Sequence, residues 1–521
     1  MPGGSNLPEG EYPVLIDAVM PSDTRVTDDG VNTSWSEGDR VGVCVAGMEN
    51  KTGTYSYSSD GTWVNDGSPL YWPNTRPNQT LNAWYPVDGS GLNLADQTGG
   101  LPYVLKGTGQ ATDITQPVPI TFEHQLAKVR LNLSGVKGYE NATATMKGYT
   151  NFTYNQGTLT PQGSDYGTIQ MHRNGNYMEA LVIPMSGDIA GFFSITVPGY
   201  PQPYRYDLQA ANAPAQAGKV YTYDLNLNVP VLSPTQDIRI TGDGEYIIQG
   251  DGSKTDKTIT INGSATVTLK GLNVWTSLPI RIEGGSPTLL VDGENRLEST
   301  GKNDGGIILE NGTSITIKGK SNQYDGGGND KLYVSVKEES VGIGPRRLSE
   351  CGTISIQRLY IDVTAQYSAA IGASQGGTCE KVDIRGSTIY AKGAPGIGAG
   401  LANDPNEHSN CKQIYIDECH FKEVSSTTIL EYINGQSTRY LYNAAIGCGA
   451  AVNGATVTCG DITIRHNGLP GMDNLLSGIK LHDPAGKAYR IGTGTIDSNS
   501  SATCGSVTLR WWRGSTTGMV M

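Results

Sequence analysis

Residues 371–384 read Ile371-Gly372-Ala-Ser-Gln-Gly-Gly-Thr-Cys379-Glu-Lys-Val382-Asp-Ile384, and the same phrase returns five times toward the end of the chain. The Ile-Gly pairs are Ile343-Gly344, Ile371-Gly372, Ile397-Gly398, Ile446-Gly447 and Ile491-Gly492. Each is followed by a cysteine: Cys351, Cys379, Cys411, Cys459 and Cys504. Apolar pairs stand at the third and fifth positions after it: Ile354/Ile356, Val382/Ile384, Ile414/Ile416, Ile462/Ile464 and Val507/Leu509. A repeat of about 28 residues built on short strands predicts a solenoid, because one repeat cannot bury its apolar face except against the next.

Cysteines at one position in successive coils should stack as a ladder of small, buried, reduced thiols. Cys419 and Cys448 fall outside that ladder. The odd offset from cysteine to the first apolar residue breaks the strand period of two, which predicts a coil corner between them. Earlier coils lack the cysteine but keep the rhythm at Ile259/Ile261, Val267/Leu269, Leu289/Val291 and Ile315/Ile317. Coils are expected from Asp237 onward, some ten of them, rising about 4.8 Å each. The longer interval from Cys411 to Cys459 predicts an insertion at Val424 to Asn443, hanging off the stack as a loop.

The 521 residues include 69 Gly and 27 Tyr but only 5 Phe, with 17% charged residues, which is an all-β composition. The nearest approach to a helical stripe, Ile429 to Tyr442, reads equally well as a loop. A net charge of −12 lacks the basic surface that nucleic acid requires. No apolar run reaches the ~18 residues of a membrane span, and the opening MPGGSNLPEGEYPVL is not a signal peptide. That leaves a cytosolic protein or a mature secreted chain whose leader has been removed, and the tyrosine-rich, low-charge, repeat-bearing composition favours the second.

The first 230 or so residues carry no repeat, only sandwich-type alternations at Leu126–Leu133, Phe193–Val197 and Val220–Leu227. Asn228 to Pro234, with two prolines, reads as a short stiff linker. Within this region lie Trp35-Ser-Glu-Gly38-Asp39-Arg40-Val-Gly-Val, Tyr71-Trp72-Pro73 and Ala83-Trp84-Tyr85-Pro86. Further along stand Phe122-Glu-His124-Gln125-Leu-Ala-Lys128-Val129, Leu181-Val-Ile-Pro184 and Ala217-Gly218-Lys219-Val-Tyr221-Thr-Tyr223.

In content and order these phrases resemble the fimbrillin family of Bacteroidales surface proteins. The resemblance implies two transthyretin-like β-sandwich domains, 1–135 and 136–229, in a lipid-anchored or polymerising pilus subunit or adhesin. Pilus subunits joined by strand exchange are the implied partners. Residues 237–521 are similar to a right-handed parallel β-helix family described as carbohydrate-binding and related in fold to polysaccharide lyases. Ile240-Thr-Gly242-Asp-Gly244-Glu-Tyr246, Leu289–Leu297 and the Ile-Gly repeat carry that likeness. Where that family often carries Gly-Gly after Ile-Gly, varied loops stand here, Pro345-Arg346-Arg347 among them.

Gly396-Ile-Gly398-Ala-Gly400 is one instance of the structural repeat rather than a dinucleotide loop. The six histidines never pair at metal-ligand spacing, and no nucleophile elbow or His-Glu-x-x-His occurs. No cofactor is implied. Ca²⁺ enters only through the oxygen-rich loops Asp325–Asp330 and Asn403–Glu407, which read first as turns. A lyase would need Arg346 or Arg347 assembled with Asp362, and nothing in the pattern joins them.

If Ile361, Ile389 and Phe421 point inward, their neighbours form outward rows: Tyr360/Asp362, Thr388/Tyr390 and His420/Lys422. Polar-tipped rings beside hydrogen-bonding groups suit the apolar face and polar rim of a sugar. The candidate carbohydrate-binding residues are therefore Tyr360, Asp362, Tyr390, His420 and Lys422. Trp511 and Trp512 are expected to cap the open end of the stack. The function expected is a non-enzymatic cell-surface adhesin, located at the outer membrane or fimbrium and binding polysaccharide or a surface glycan. A polymerising pilus subunit is the alternative, and a polysaccharide lyase comes behind both.

Overall fold

The computed structural model describes residues 12–19, 35–163, 166–184, 188–214, 216–302, 304–322, 329–337, 340–433, 436–466, 478–480, 490–511 and 514–517. Its secondary structure is nearly all strand. The chain divides into two compact units, residues 1–197 with 202–227, and residues 198–201 with 228–521.

In the first unit, Leu105–Ala111 alternates buried and exposed side chains without a break, as a strand with one wet face must. It belongs to a seven-stranded sheet ordered Ile16–Val19, Val118–His124, Leu105–Ala111, Gln79–Tyr85, Arg40–Val45, Thr52–Tyr57 and Trp63–Asn65. Only the Ile16–Val19 pairing is parallel. Two four-stranded sheets come next along the chain. One holds Gly167–Gln170, Thr143–Gly148, Asp188–Thr196 and Tyr204–Pro214; the other holds His172–Asn174, Tyr177–Val182, Ala127–Ser134 and Val220–Asn226. Phe193 of the first meets Tyr223 of the second at 5.6 Å. Ala127–Ser134 pairs with strands that come after residue 135, so it groups with them and not with the seven-stranded sheet.

The second unit is built of coils. The central coils each contribute one strand to each of three sheets, and the strands of successive coils pair in parallel. The first sheet takes the cysteine strands, which stack in register as Cys351, Cys379, Cys411, Cys459 and Cys504. The apolar pairs stack beside them, Ile354 on Val382 on Ile414 on Ile462 on Val507. All eight cysteines are free thiols, and of the five in the ladder only Cys504 is not buried. The predicted corner is absent from the first four of these strands. Glu350–Gln357 and its counterparts run unbroken through the offset, absorbing the extra residue within one strand. The neighbouring Cys379 sulfur and then burial push the thiols of Cys351 and Cys411 up, which disfavours reactive thiolate. Burial likewise pushes Cys419 up to about 12.

The second sheet takes the Ile-Gly strands, and here glycine is a steric requirement. Gly372, Gly398 and Gly447 have φ of +132°, +139° and +127°. A Cβ on any of them would collide with the carbonyl of the next glycine along the stack. The third sheet takes Asn273–Thr276, Glu294–Ser299, Lys331–Val336, Tyr360–Ala365, Thr388–Gly393, His420–Ser426 and Ile479–Lys480.

Two expectations need correction. Val231–Leu232, inside the supposed linker, is already a strand of the first coil sheet, pairing with Ile247–Ile248. The insertion does not start at Val424, because Val424–Ser426 completes a third-sheet strand. The inserted segment itself is neither helix nor loop but an antiparallel hairpin, Thr428–Ile433 with Gln436–Tyr442. Its Ile429 and Leu441 bury themselves against Leu401, Ala450 and Val452, so its base is anchored to the coils. The side chain of Trp511 and all of Trp512 lie outside the described residues.

Candidate functional site

The outward face of the third coil sheet is set by strand register. Ile361 and Ile389 are fully buried and Phe421 nearly so, which turns their neighbours outward as expected except at Thr388, which is buried. One column down this face runs Glu294, Lys331, Tyr360, Thr388 and His420. The next runs Arg296, Tyr333, Asp362, Tyr390 and Glu423. Glu423 stands where simple alternation puts Lys422, because the register shifts between Ile389 and Tyr390 and makes Lys422 the extra residue.

Freed from the column, Lys422 reaches back over Tyr360. Its Nζ lies 5.2 Å from the ring centroid and donates a hydrogen bond to Oη at 3.3 Å. Tyr360 packs 5.8 Å from Tyr333, and the Arg296 guanidinium lies 4.3 Å from the Tyr333 ring. Cation, ring, ring and cation thus form one continuous rank. Asp362 is flanked by it, and burial pushes its carboxyl above the usual range while Lys422 and Arg296 pull it back. Burial and then Glu423 raise the phenol of Tyr390, which therefore stays neutral. Glu423 is held below its ordinary value chiefly by Lys480, whose Nζ bonds it at 3.0 Å.

The face thus brings together Tyr360, Asp362, Tyr390 and Lys422, while exposed His420 stands two strands further down the Tyr360 column, beyond the buried Thr388. Arg296 and Tyr333 were missed because their coils lack the cysteine phrase. The register of Lys331–Val336 with Tyr360–Ala365 is what brings them in.

The lyase constellation does not assemble. Arg346 is committed to Asp304 and Glu310, and Arg347 to Glu407 at 2.6 Å, whereas Asp362 is on the third sheet. Glu407 is itself buried and also receives Gln375 and the Asn403 amide, so its loop is occupied by protein donors. Of the other acidic loop, residues 325–328 lie outside the described residues; Asp330 is buried and accepts from Ser321 and Gly293. Among the described residues no three His, Cys, Asp or Glu side chains converge on a metal position, and no helix is long and apolar enough to cross a membrane.

In the first unit the aromatic phrases supply core. Trp35 meets Trp63, Tyr85 and Phe122 at 5.0, 5.8 and 5.4 Å and donates to the Ala18 carbonyl. His124 packs 5.7 Å from Tyr103, its pKa lowered by burial and then by Lys128.

Residues 24–242 match the family model described as fimbrillin-like. No curated protein matches the chain. Among solved structures, a candidate cell-adhesion protein from Bacteroides uniformis is 21% identical, covering 37% of this chain and 88% of its own at a TM-score of 0.31. One from Bacteroides ovatus is 17% identical over 42% and 92%, with a TM-score of 0.32. The fimbrial anchor protein Mfa2 of Porphyromonas gingivalis is 12% identical over 42% and 90%, with a TM-score of 0.24.

Proposed function

We propose that this protein is a cell-surface adhesin of fimbrillin type, in which the coils present a glycan-binding face. In this reading the fimbrillin-like part forms two transthyretin-like sandwiches. They divide near residue 126, so that Ala127–Ser134 belongs to the second. The coils, from Val231 onward, form a right-handed parallel β-helix. The single observation that carries the binding role is the rank Arg296, Tyr333, Tyr360 and Lys422, flanked by Asp362 and Tyr390. Stacked rings edged by charged hydrogen-bonding groups match an extended polysaccharide, and a shallow face gives weak binding unless several copies act together.

The coils come after the last strand of the fimbrillin-like part and should obstruct donation of that strand to another subunit. We therefore favour a tip or stand-alone adhesin at the outer surface, with other pilus subunits as partners. The second reading is a polymerising pilus subunit, with which the match over residues 24–242 is equally compatible. Long homopolymers of purified protein in electron micrographs would decide for that reading. Catalysis has no support in the paired Arg346 and Arg347. The binding test is a glycan array probed with the full chain and with its Tyr360→Ala/Tyr390→Ala variant. We expect hits that the variant loses without a change in melting; equal binding by the variant rules the face out.

A further inference from the structure

A groove of about 750 Å³ lies among the first coils, lined by Val231, Gln249, Asp251, Lys254, Asp256 and Trp275. It lies at the first-coil end of the same sheet, where Asn273 pairs with Arg296, but none of Tyr333, Tyr360 and Tyr390 lines it, and its volume suits a small ligand. Trp275 is 44% exposed, unusual for the largest apolar side chain. The segment beside it is not loose: Thr255 bridges to Val274, its amide donating to the Asn273 carbonyl and its carbonyl accepting from Trp275. Lys254 is thereby held with Nζ 4.4 Å from the indole centroid.

Charge sets the ligand class. Every carboxylate around the groove is engaged: Asp251 by Ser253, Asp256 by Lys257 at 2.7 Å, and Glu298, opposite Trp275 in register, by Lys337 at 2.5 Å. Lys254 forms no ion pair with an acidic side chain among the described residues, and the indole face is its one charge-stabilising contact there. This exposed cation on an exposed indole lacks a counter-charge and covers a sugar-stacking surface.

We propose that this groove binds an acidic sugar, its carboxylate pairing with Lys254 and its C–H face stacking on the indole surface that Lys254 vacates. Lys254 chooses the charge and Trp275 supplies the contact area. Acidic sugars should bind at least about ten-fold tighter than neutral ones, with a preference that falls as salt screens the pair.

The test titrates the full chain with galacturonate, glucuronate and sialate oligosaccharides and with their methyl esters, using calorimetry and saturation-transfer NMR. The expected result is binding of at least one acid, ten-fold or more over its ester. Lys254→Gln should abolish that preference, and Trp275→Ala should weaken both forms at least ten-fold with unchanged melting. No binding of any acid, equal binding of acid and ester, or undiminished binding by Trp275→Ala would each overturn the proposal. A loss confined to Tyr360→Ala/Tyr390→Ala would also overturn it, while leaving the Tyr360 face standing.

Discussion

Replacing Gly398 with alanine tests the coil stacking at its tightest point. Gly398 has φ +139°, and an added Cβ would lie 2.9 and 3.0 Å from the carbonyl carbon and nitrogen of Gly447, closer still to its oxygen. Those are backbone atoms of the next coil, so no side-chain rotation relieves the clash. Forcing an L-residue into that conformation costs about 1–3 kcal/mol, and overpacking a closed interior adds about 1–3 kcal/mol. Together these predict about 2–6 kcal/mol, or about 3–10 °C for a unit of this size. Gly312 is the control: its φ is +77°, but an added Cβ meets nothing within 4 Å, so Gly312→Ala should cost only about 1 kcal/mol. Calorimetry of the parent and both variants reads the difference, with the affected transition assigned by hydrogen exchange in peptides spanning Gly398. A Gly398→Ala protein no less stable than Gly312→Ala would refute the glycine column, and with it the coil register.

Three further outcomes rest on equally specific contacts. Iodoacetamide should modify few thiols in the native protein and nearly all 8 after denaturation without reductant; several disulfides by non-reducing mass analysis would refute the thiol ladder. Arg130 bonds Glu179 at 2.7 Å with both side chains almost wholly buried, so Arg130→Met should cost about 3–5 kcal/mol. Much of that should return in Arg130→Met/Glu179→Leu, as read by urea denaturation. Lys480 lowers the folded pKa of Glu423 below 4.5, so the pair's stabilisation is present above pH 4.5 and lost as pH falls through the folded value. Glu423→Gln should therefore show a shallower acid-side loss of stability, and an unchanged slope would contradict the pairing.

The all-β class and the stacking of coils were legible because repetition is itself the signal. One position recurring as Cys351, Cys379, Cys411, Cys459 and Cys504 has few arrangements that bury it every time. Inward Ile361, Ile389 and Phe421 followed from alternation counted off that position. Alternation failed at Lys422, where a one-residue register shift substitutes Glu423, and no local feature of the sequence marks it. Val231–Leu232 misled for a related reason: two prolines read as a linker, but two apolar residues between them found a parallel partner.

The sequence by itself therefore determined what each coil must bury, since burial of apolar and small side chains is periodic and local. Only the tertiary structure decided what the coils show to solvent. Arg296, Tyr333, Tyr360 and Lys422 span residues 296–422 and become one rank only because parallel strands place side chains from successive coils side by side. The same holds for Lys254 and Trp275, 21 residues apart in sequence and 4.4 Å apart in space. An outward site on stacked coils is a property of register, which is set by the pairing of many strands at once and written in no single segment.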